Sequence, residues 1–137
     1  MKNPKVSIII RTKNEERWIA SCLRAIDEQS YRDYEIIIVD NNSIDKTIEK
    51  AKKFPIQKVI NINNYLPGRA LNLGVEESNG DYFVCISAHC IPTGKDWLKA
   101  LVDGIEEDET YAGVYGRQEP MSFSSLSDKR DLLIVFG

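Results

Sequence analysis

The 137-residue chain has a single histidine, only three cysteines and no surplus of positive charge. Eighteen basic residues against twenty-one acidic ones leave a net charge of −3. The basic face that grips a nucleic-acid backbone is therefore missing, and nucleic acid is not expected as a partner. No apolar run approaches the roughly 18 residues that a spanning helix needs. Met1-Lys2-Asn3-Pro4 leads directly into a short apolar strand, unlike a signal peptide, so a cytoplasmic protein is expected. Cys22, Cys85 and Cys90 are an odd number that fits no disulfide framework, and reduced thiols are expected. A chain of this length should bury roughly two thirds of its unfolded surface without such staples. Its 42% hydrophobic and 28% charged residues fit one globular domain.

Two short runs, Val6-Ser7-Ile8-Ile9-Ile10 and Glu35-Ile36-Ile37-Ile38-Val39, are nearly continuous in β-branched residues, as strands covered on both faces are. Between them Ile19, Cys22, Leu23 and Ile26 recur at helical spacing and form one apolar stripe, which completes a βαβ unit. A second helix is predicted from about Asp45 to Phe54, where Pro55 stops it, followed by a strand over Lys58-Val59-Ile60-Asn61-Ile62. A third helix opens at Pro67-Gly68 and is predicted to end on a left-handed stop at Asn79-Gly80. Tyr82-Phe83-Val84-Cys85-Ile86 reads as a strand, and Trp97, Leu98, Leu101, Val102 and Ile105 mark a fourth helix. Tyr111-Ala112-Gly113-Val114-Tyr115 is predicted to close the alternation as a strand. The pattern implies an α/β fold, a three-layer α/β/α arrangement around a mostly parallel sheet.

Ligands of such sheets collect outside the carboxyl ends of the strands, which selects the loops to read. These are Arg11-Thr12-Lys13-Asn14-Glu15, Asp40-Asn41-Asn42-Ser43 and Ser87-Ala88-His89-Cys90, all polar. The first lacks the glycines of a dinucleotide or P-loop site, and of a nucleotidyltransferase, and carries cations where a phospho-receiver needs acids. Asp40, at the end of a buried strand, must accept hydrogen bonds: from a base or ribose, from the Asn42 and Ser43 amides, or from both. Ser43 or Asp45 is expected to cap the second helix. Arg69, at the start of the third helix, is either a diphosphate contact or a surface arginine. A strand reading puts Cys85, Ser87 and His89 on one face and Cys90 on the other, so these residues form no ready zinc site. His89 either faces a ligand, as donor to a phosphate or partner in an open metal site, or is a satisfied structural histidine. Glu106-Glu107-Asp108-Glu109 reads as a solvated helix end, and Trp18 and Trp97 as core residues.

Val6 to Glu16, with Ser7-Ile8-Ile9-Ile10-Arg11-Thr12-Lys13-Asn14-Glu15 at its centre, and Ile36 to Thr47, with Val39-Asp40-Asn41-Asn42-Ser43 at its centre, resemble the family 2 glycosyltransferases. The resemblance implies the GT-A fold, a Rossmann-like nucleotide-diphospho-sugar transferase architecture. It also implies inverting transfer of a sugar from a nucleotide-diphosphate donor to a glycan or lipid-linked acceptor, usually with Mg²⁺ or Mn²⁺. By resemblance Thr12, Asn14, Glu15, Asp40, Asn42 and Ser43 hold the donor nucleotide, Arg69 the phosphate, and Ser87 and His89 a metal or phosphate. Two departures stand out. The family's arginine immediately before the third-helix asparagine is Leu71 here, with Arg69 two places earlier. The family's Asp-x-Asp metal motif is replaced by Ser87-Ala88-His89. That exchange either tilts the site toward Mn²⁺ or another softer ion, or leaves His89 and Arg69 to meet the phosphate without a metal. The Ser-Ala-His-Cys-Ile-Pro form is similar to bacterial cell-surface polysaccharide transferases, including rhamnosyltransferase-like proteins, and peripheral association of the full-length protein with the inner face of the membrane is an expectation. Residues 1–118 are expected to bind the donor and residues 119–137 to begin an acceptor-side segment, with the chain ending as a fragment before a catalytic base. A catalytically inert nucleotide-sugar binding module is the competing expectation.

Overall fold

The structure is a computed structural model and describes residues 3–119. Four parallel strands, β1 (Val6–Thr12), β2 (Tyr34–Asp40), β3 (Lys58–Asn61) and β4 (Tyr82–Ser87), form one sheet in the order β3-β2-β1-β4. The helices between and after them are α1 (Ile19–Asp27), α2 (Thr47–Ala51), α3 (Pro67–Glu76) and α4 (Trp97–Glu106). The chain divides into two compact units, Met1–Leu98 and Lys99–Gly137, with α4 beginning in the first.

Right-handed crossovers explain the layers. The steps from β1 to β2 to β3 move one way along the sheet, so α1 and α2 share a face; the return to β4 puts α3 on the other. Tyr34 accordingly donates its hydroxyl to the Ile26 carbonyl of α1 at 3.1 Å, while α3 lies over Ile9 and Val39, which face the other way. The two central strands are covered on both sides, with Ile8, Ile9, Ile10, Ile37, Ile38 and Val39 fully buried. Each such side chain contributes about 1.5–3 kcal/mol, which makes these strands the part of the unit hardest to open. The α1 stripe of Ile19, Cys22, Leu23 and Ile26 is fully buried as its spacing implies. Burial, with the charge of Cys90 adding to it, pushes the Cys22 thiol pKa up to about 12, so it stays protonated and unreactive.

Several elements differ from the sequence reading. Strands β1 and β4 run further than expected, because Arg11 still pairs with Val39 and Ser87, and Thr12 with Asp40, in the parallel ladders. Helix α2 is five residues long, with Lys46 at its N-cap and no side-chain bond from that residue; Asp45, one place earlier, accepts the Thr47 amide at 3.0 Å, and Ser43 is bonded to Asp40 instead. Helix α3 stops at Glu76, and Gly80 has no left-handed backbone. Gly80 is instead required by contact: a Cβ there would lie 2.6 Å from Ser7 Oγ and 2.7 Å from the Ser7 backbone nitrogen. Gly80→Ala is expected to lower stability by about 2 kcal/mol in urea denaturation, since backbone sets part of that space.

In the second unit, Val102 of α4 is buried, and residues 107–109 form the exposed acidic end expected of them. Residues 111–115 are not a strand; a stretch this short, interrupted by Gly113, needs a neighbour for its backbone hydrogen bonds, and no described residue provides a ladder. The acceptor-side segment expected from 119 onward lies outside the described residues except for its first position. No helix among the described residues is long and apolar enough to cross a membrane.

Candidate functional site

All four strands end at the same edge, so Thr12, Asp40, Asn61 and Ser87 bring their following loops together. The loops after β1 and β2 are laced into one body. Asp40, 2% exposed, accepts the Ser43 amide at 2.9 Å and the Ser43 hydroxyl at 2.5 Å. The Ser43 hydroxyl oxygen in turn accepts the Asn14 amide at 2.8 Å, and Asn14 Oδ1 accepts the Ile44 amide at 2.9 Å. Lys13 Nζ donates to the carbonyls of Asn41 and Asn42, and the Glu15 amide donates to Thr47 Oγ1 at 2.8 Å. Asp45 also accepts the Glu16 amide; burial would raise its pKa, but bonds from Thr47 and Glu16 hold it below its ordinary value. Asn14 and Asn42 adopt left-handed backbone, at φ 49° and 52°, a conformation that asparagine tolerates better than most residues.

The sheet reverses its winding between β1 and β4, the switch point at which open α/β sheets place their ligands. There the Arg11 guanidinium donates from Nη2 to Ser87 Oγ at 2.7 Å, and the Ala88 amide donates to the Arg11 carbonyl at 3.0 Å. The strand reading does not extend to His89. Strand β4 ends at Ser87, the Cys90 amide closes a turn onto the Ser87 carbonyl, and the His89 ring leaves the sheet to meet Glu15. His89 Nδ1 lies 2.9 Å from Glu15 Oε1, with the imidazole more than half exposed and the carboxylate mostly buried.

On the β3 side, Asn42 Nδ2 donates to the Ile62 carbonyl and to Asn63 Oδ1. Next to it opens a cavity of about 830 Å³ lined by Asn61, Asn63, Arg69, Asn72 and Glu76. Arg69 and Asn72 stand three residues apart on α3 and share a face; Arg69 is exposed and has no hydrogen bond or ion pair with another described residue. Asn14, Glu15, Asp40, Ser43, Ser87 and His89 thus lie along the β2-β1-β4 edge, Asn42 joins that edge to the β3 loop, and Arg69 lines the β3-side cavity. Thr12 is 4% exposed and its hydroxyl is buried without a hydrogen-bond partner among the described residues. Thr12→Val is expected to raise stability by about 1 kcal/mol in urea denaturation and to leave ligand binding unchanged; weakened binding would assign the hydroxyl to a ligand. Arg11 and Lys13 are the residues that sequence reasoning left out of the site. Their signal, cations at a strand end, becomes specific only once the pairing of β1 with β4 is known.

The chain matches the model of glycosyl transferase family 2 over residues 7–131. It belongs to that family. Among curated relatives it is 37% identical, over 125 residues, to a dolichyl N-acetyl-alpha-D-glucosaminyl phosphate 3-beta-D-2,3-diacetamido-2,3-dideoxy-beta-D-glucuronosyltransferase of Methanococcus voltae, covering 81% of this chain and 38% of that protein. Among solved structures, residues 1–349 of S. aureus TarS in complex with UDP match with a TM-score of 0.68 and 25% identity, over 86% of this chain and 38% of that one. The mannosyltransferase PcManGT of Pyrobaculum calidifontis, in complex with GDP-Man and Mn²⁺, matches at 0.65 and 25% identity, over 77% of this chain and 33% of its own. The chain therefore spans under two fifths of these family members, and its four-stranded α/β unit has the fold of family 2 glycosyltransferases.

The Mn²⁺ of such a relative asks for hard oxygen or imidazole donors. At the end of β4 this family member offers the Ser87 hydroxyl, which accepts from Arg11, and the His89 ring, which is turned onto Glu15. No group of three His, Cys, Asp or Glu side chains among the described residues is placed to hold a metal ion. A hydroxyl bonded to a guanidinium is a weak cation ligand, and the guanidinium charge repels the ion, so Ser87 is a poor ligand for a divalent metal and the remaining donors at this edge are the mutually bonded Glu15 and His89.

Proposed function

We propose that this chain is the donor-binding part of an inverting glycosyltransferase, one that moves a sugar from a nucleotide-diphosphate donor to a glycan or lipid-linked acceptor in polysaccharide biosynthesis. The observation that carries this reading is the joining of the β1, β2 and β4 loops at the switch-point edge, through Asn14-Ser43-Asp40 on one side and Glu15-His89 on the other. Family membership supports the same chemistry, since relatives of the fold are complexed with UDP or GDP-Man. In this reading Asp40, already anchored by Ser43, has lone pairs left for a base N–H or ribose hydroxyl, and Asn14, Asn42 and Ser43 shape the surround. Arg69 and Asn72 offer polar groups from the β3-side cavity. In this reading the catalytic base and most of the acceptor site belong to the part of its relatives' length that this chain does not span.

Calorimetric titration of the chain with UDP, dTDP and GDP tests the reading. Binding of one of them, in the micromolar to millimolar range and competed by the matching nucleotide sugar, is the expected result. No binding of any of the three defeats the donor-site assignment. Binding with no sugar transfer by a longer protein carrying this domain favours an inert binding module.

A further inference from the structure

A donor diphosphate needs positive charge at its binding site, and the cations near the switch point are not equally available. Lys13 is committed to the Asn41 and Asn42 carbonyls, and His89 faces the carboxylate of Glu15. Arg69 lines the β3-side cavity. Arg11 is different: unlike the exposed Lys13 and Arg69 it is half-buried at the end of β1, and the one side-chain hydrogen bond it makes among the described residues, to the Ser87 hydroxyl, brings no counter-charge. It has no ion pair with another described residue. A partly desolvated guanidinium without a counter-charge is costly unless an anion completes it. Its field already reaches Cys85 of β4, where burial raises the thiol pKa and the Arg11 charge opposes that rise.

Resting on the donor-site reading above, we propose that the Arg11 guanidinium, braced by Ser87, supplies the positive charge that meets the donor diphosphate, so that this chain binds nucleoside diphosphate without a divalent metal. A guanidinium has five N–H donors in a planar fork. One bond to Ser87 fixes the fork and leaves the other edges for phosphate oxygens, which guanidinium matches two at a time. The substitution of Ser87-Ala88-His89 for two carboxylates then follows from charge. A carboxylate at position 87 would sit against Arg11 and neutralise it, whereas a serine orients the cation and leaves its charge free.

The test uses whichever of UDP, dTDP or GDP binds the chain, titrated in excess EDTA and again in excess Mn²⁺. The two affinities should agree within about twofold, while Arg11→Gln should weaken binding about 10- to 100-fold in EDTA, the effect of losing a charged hydrogen-bonding partner. Arg11→Lys, which keeps the charge and loses the fork, should fall between the two. The corresponding nucleoside, which has no phosphate, should bind wild type and Arg11→Gln alike, a result that a merely structural role of Arg11 would not give. Binding seen only with Mn²⁺, or undiminished in Arg11→Gln, overturns the inference and leaves the donor site standing. Absence of nucleoside diphosphate binding in both conditions overturns both.

Discussion

Asp40→Ala is expected to weaken nucleoside diphosphate binding by at least about tenfold and to cost about 2 kcal/mol of stability, the range for losing hydrogen bonds to a buried charged group. The carboxylate is almost fully buried and holds both the amide and the hydroxyl of Ser43. Its loss leaves the Ser43 hydroxyl without its acceptor, and Ser43 is also the group that fixes the Asn14 amide. One substitution therefore loosens the β2 loop and the β1 loop together. His89→Ala removes a largely exposed ring with one contact to Glu15, so its effect on stability should stay below about 0.5 kcal/mol. Urea denaturation of both variants, beside calorimetric titration, separates the two. Equal and negligible effects on binding from both would place the ligand at another edge.

Glu35→Ala is expected to cost more, about 3 kcal/mol, without weakening the ligand site. Glu35 sits at the opposite end of the sheet, where Oε1 accepts the Ser7 hydroxyl at 2.6 Å and the Asn79 amide at 2.7 Å, and Oε2 accepts Asn79 Nδ2 at 3.2 Å. Ser7 Oγ accepts the Gly80 amide in turn, which explains why that glycine must approach so closely. Removing the carboxylate strands the fully buried Ser7 hydroxyl and takes the acceptor from the more exposed Asn79 groups, and a buried unsatisfied group costs about 1–3 kcal/mol. Burial alone would raise the Glu35 pKa, but the bonds from Ser7 and Asn79 outweigh it and hold it below the ordinary glutamate value. A lowered folded-state pKa means that the stabilisation is complete above the unfolded value of about 4.3 and is lost as pH falls through the folded one. The stability gap between wild type and Glu35→Gln should accordingly narrow below about pH 4 in urea titrations. A gap that widened with acid would show that the carboxylate is not what the network depends on.

Much of the fold was legible because its signals are local. The β-branched runs of β1 and β2 and the Ile19, Cys22, Leu23, Ile26 stripe each report burial through their own spacing, and the structure buries all of them. The polar edge was legible for a similar reason, since a parallel sheet fixes which strand ends meet. What escaped depends on neighbours distant in sequence. Gly80 looks like a helix stop, yet its constraint is Ser7, 73 residues away. Arg11 looks like a loop cation until β4 pairs beside β1 and brings Ser87 to it, 76 residues on. His89 was placed by strand alternation, but β4 ends two residues before it. Residues 111–115 have strand composition without a strand partner among the described residues, and composition cannot supply one.

The most direct measurement is an amide chemical-shift map of the ¹⁵N-labelled chain as UDP, dTDP or GDP is added. The expected result is one connected set of perturbed amides across Arg11 to Glu15, Asp40 to Ser43 and Ser87 to Cys90, with Ser7, Glu35 and Asn79 at the other end of the sheet unmoved. Perturbations confined to the Ser7, Glu35 and Asn79 end, or scattered with no cluster at the β1 and β4 strand ends, would contradict a donor site at the switch-point edge.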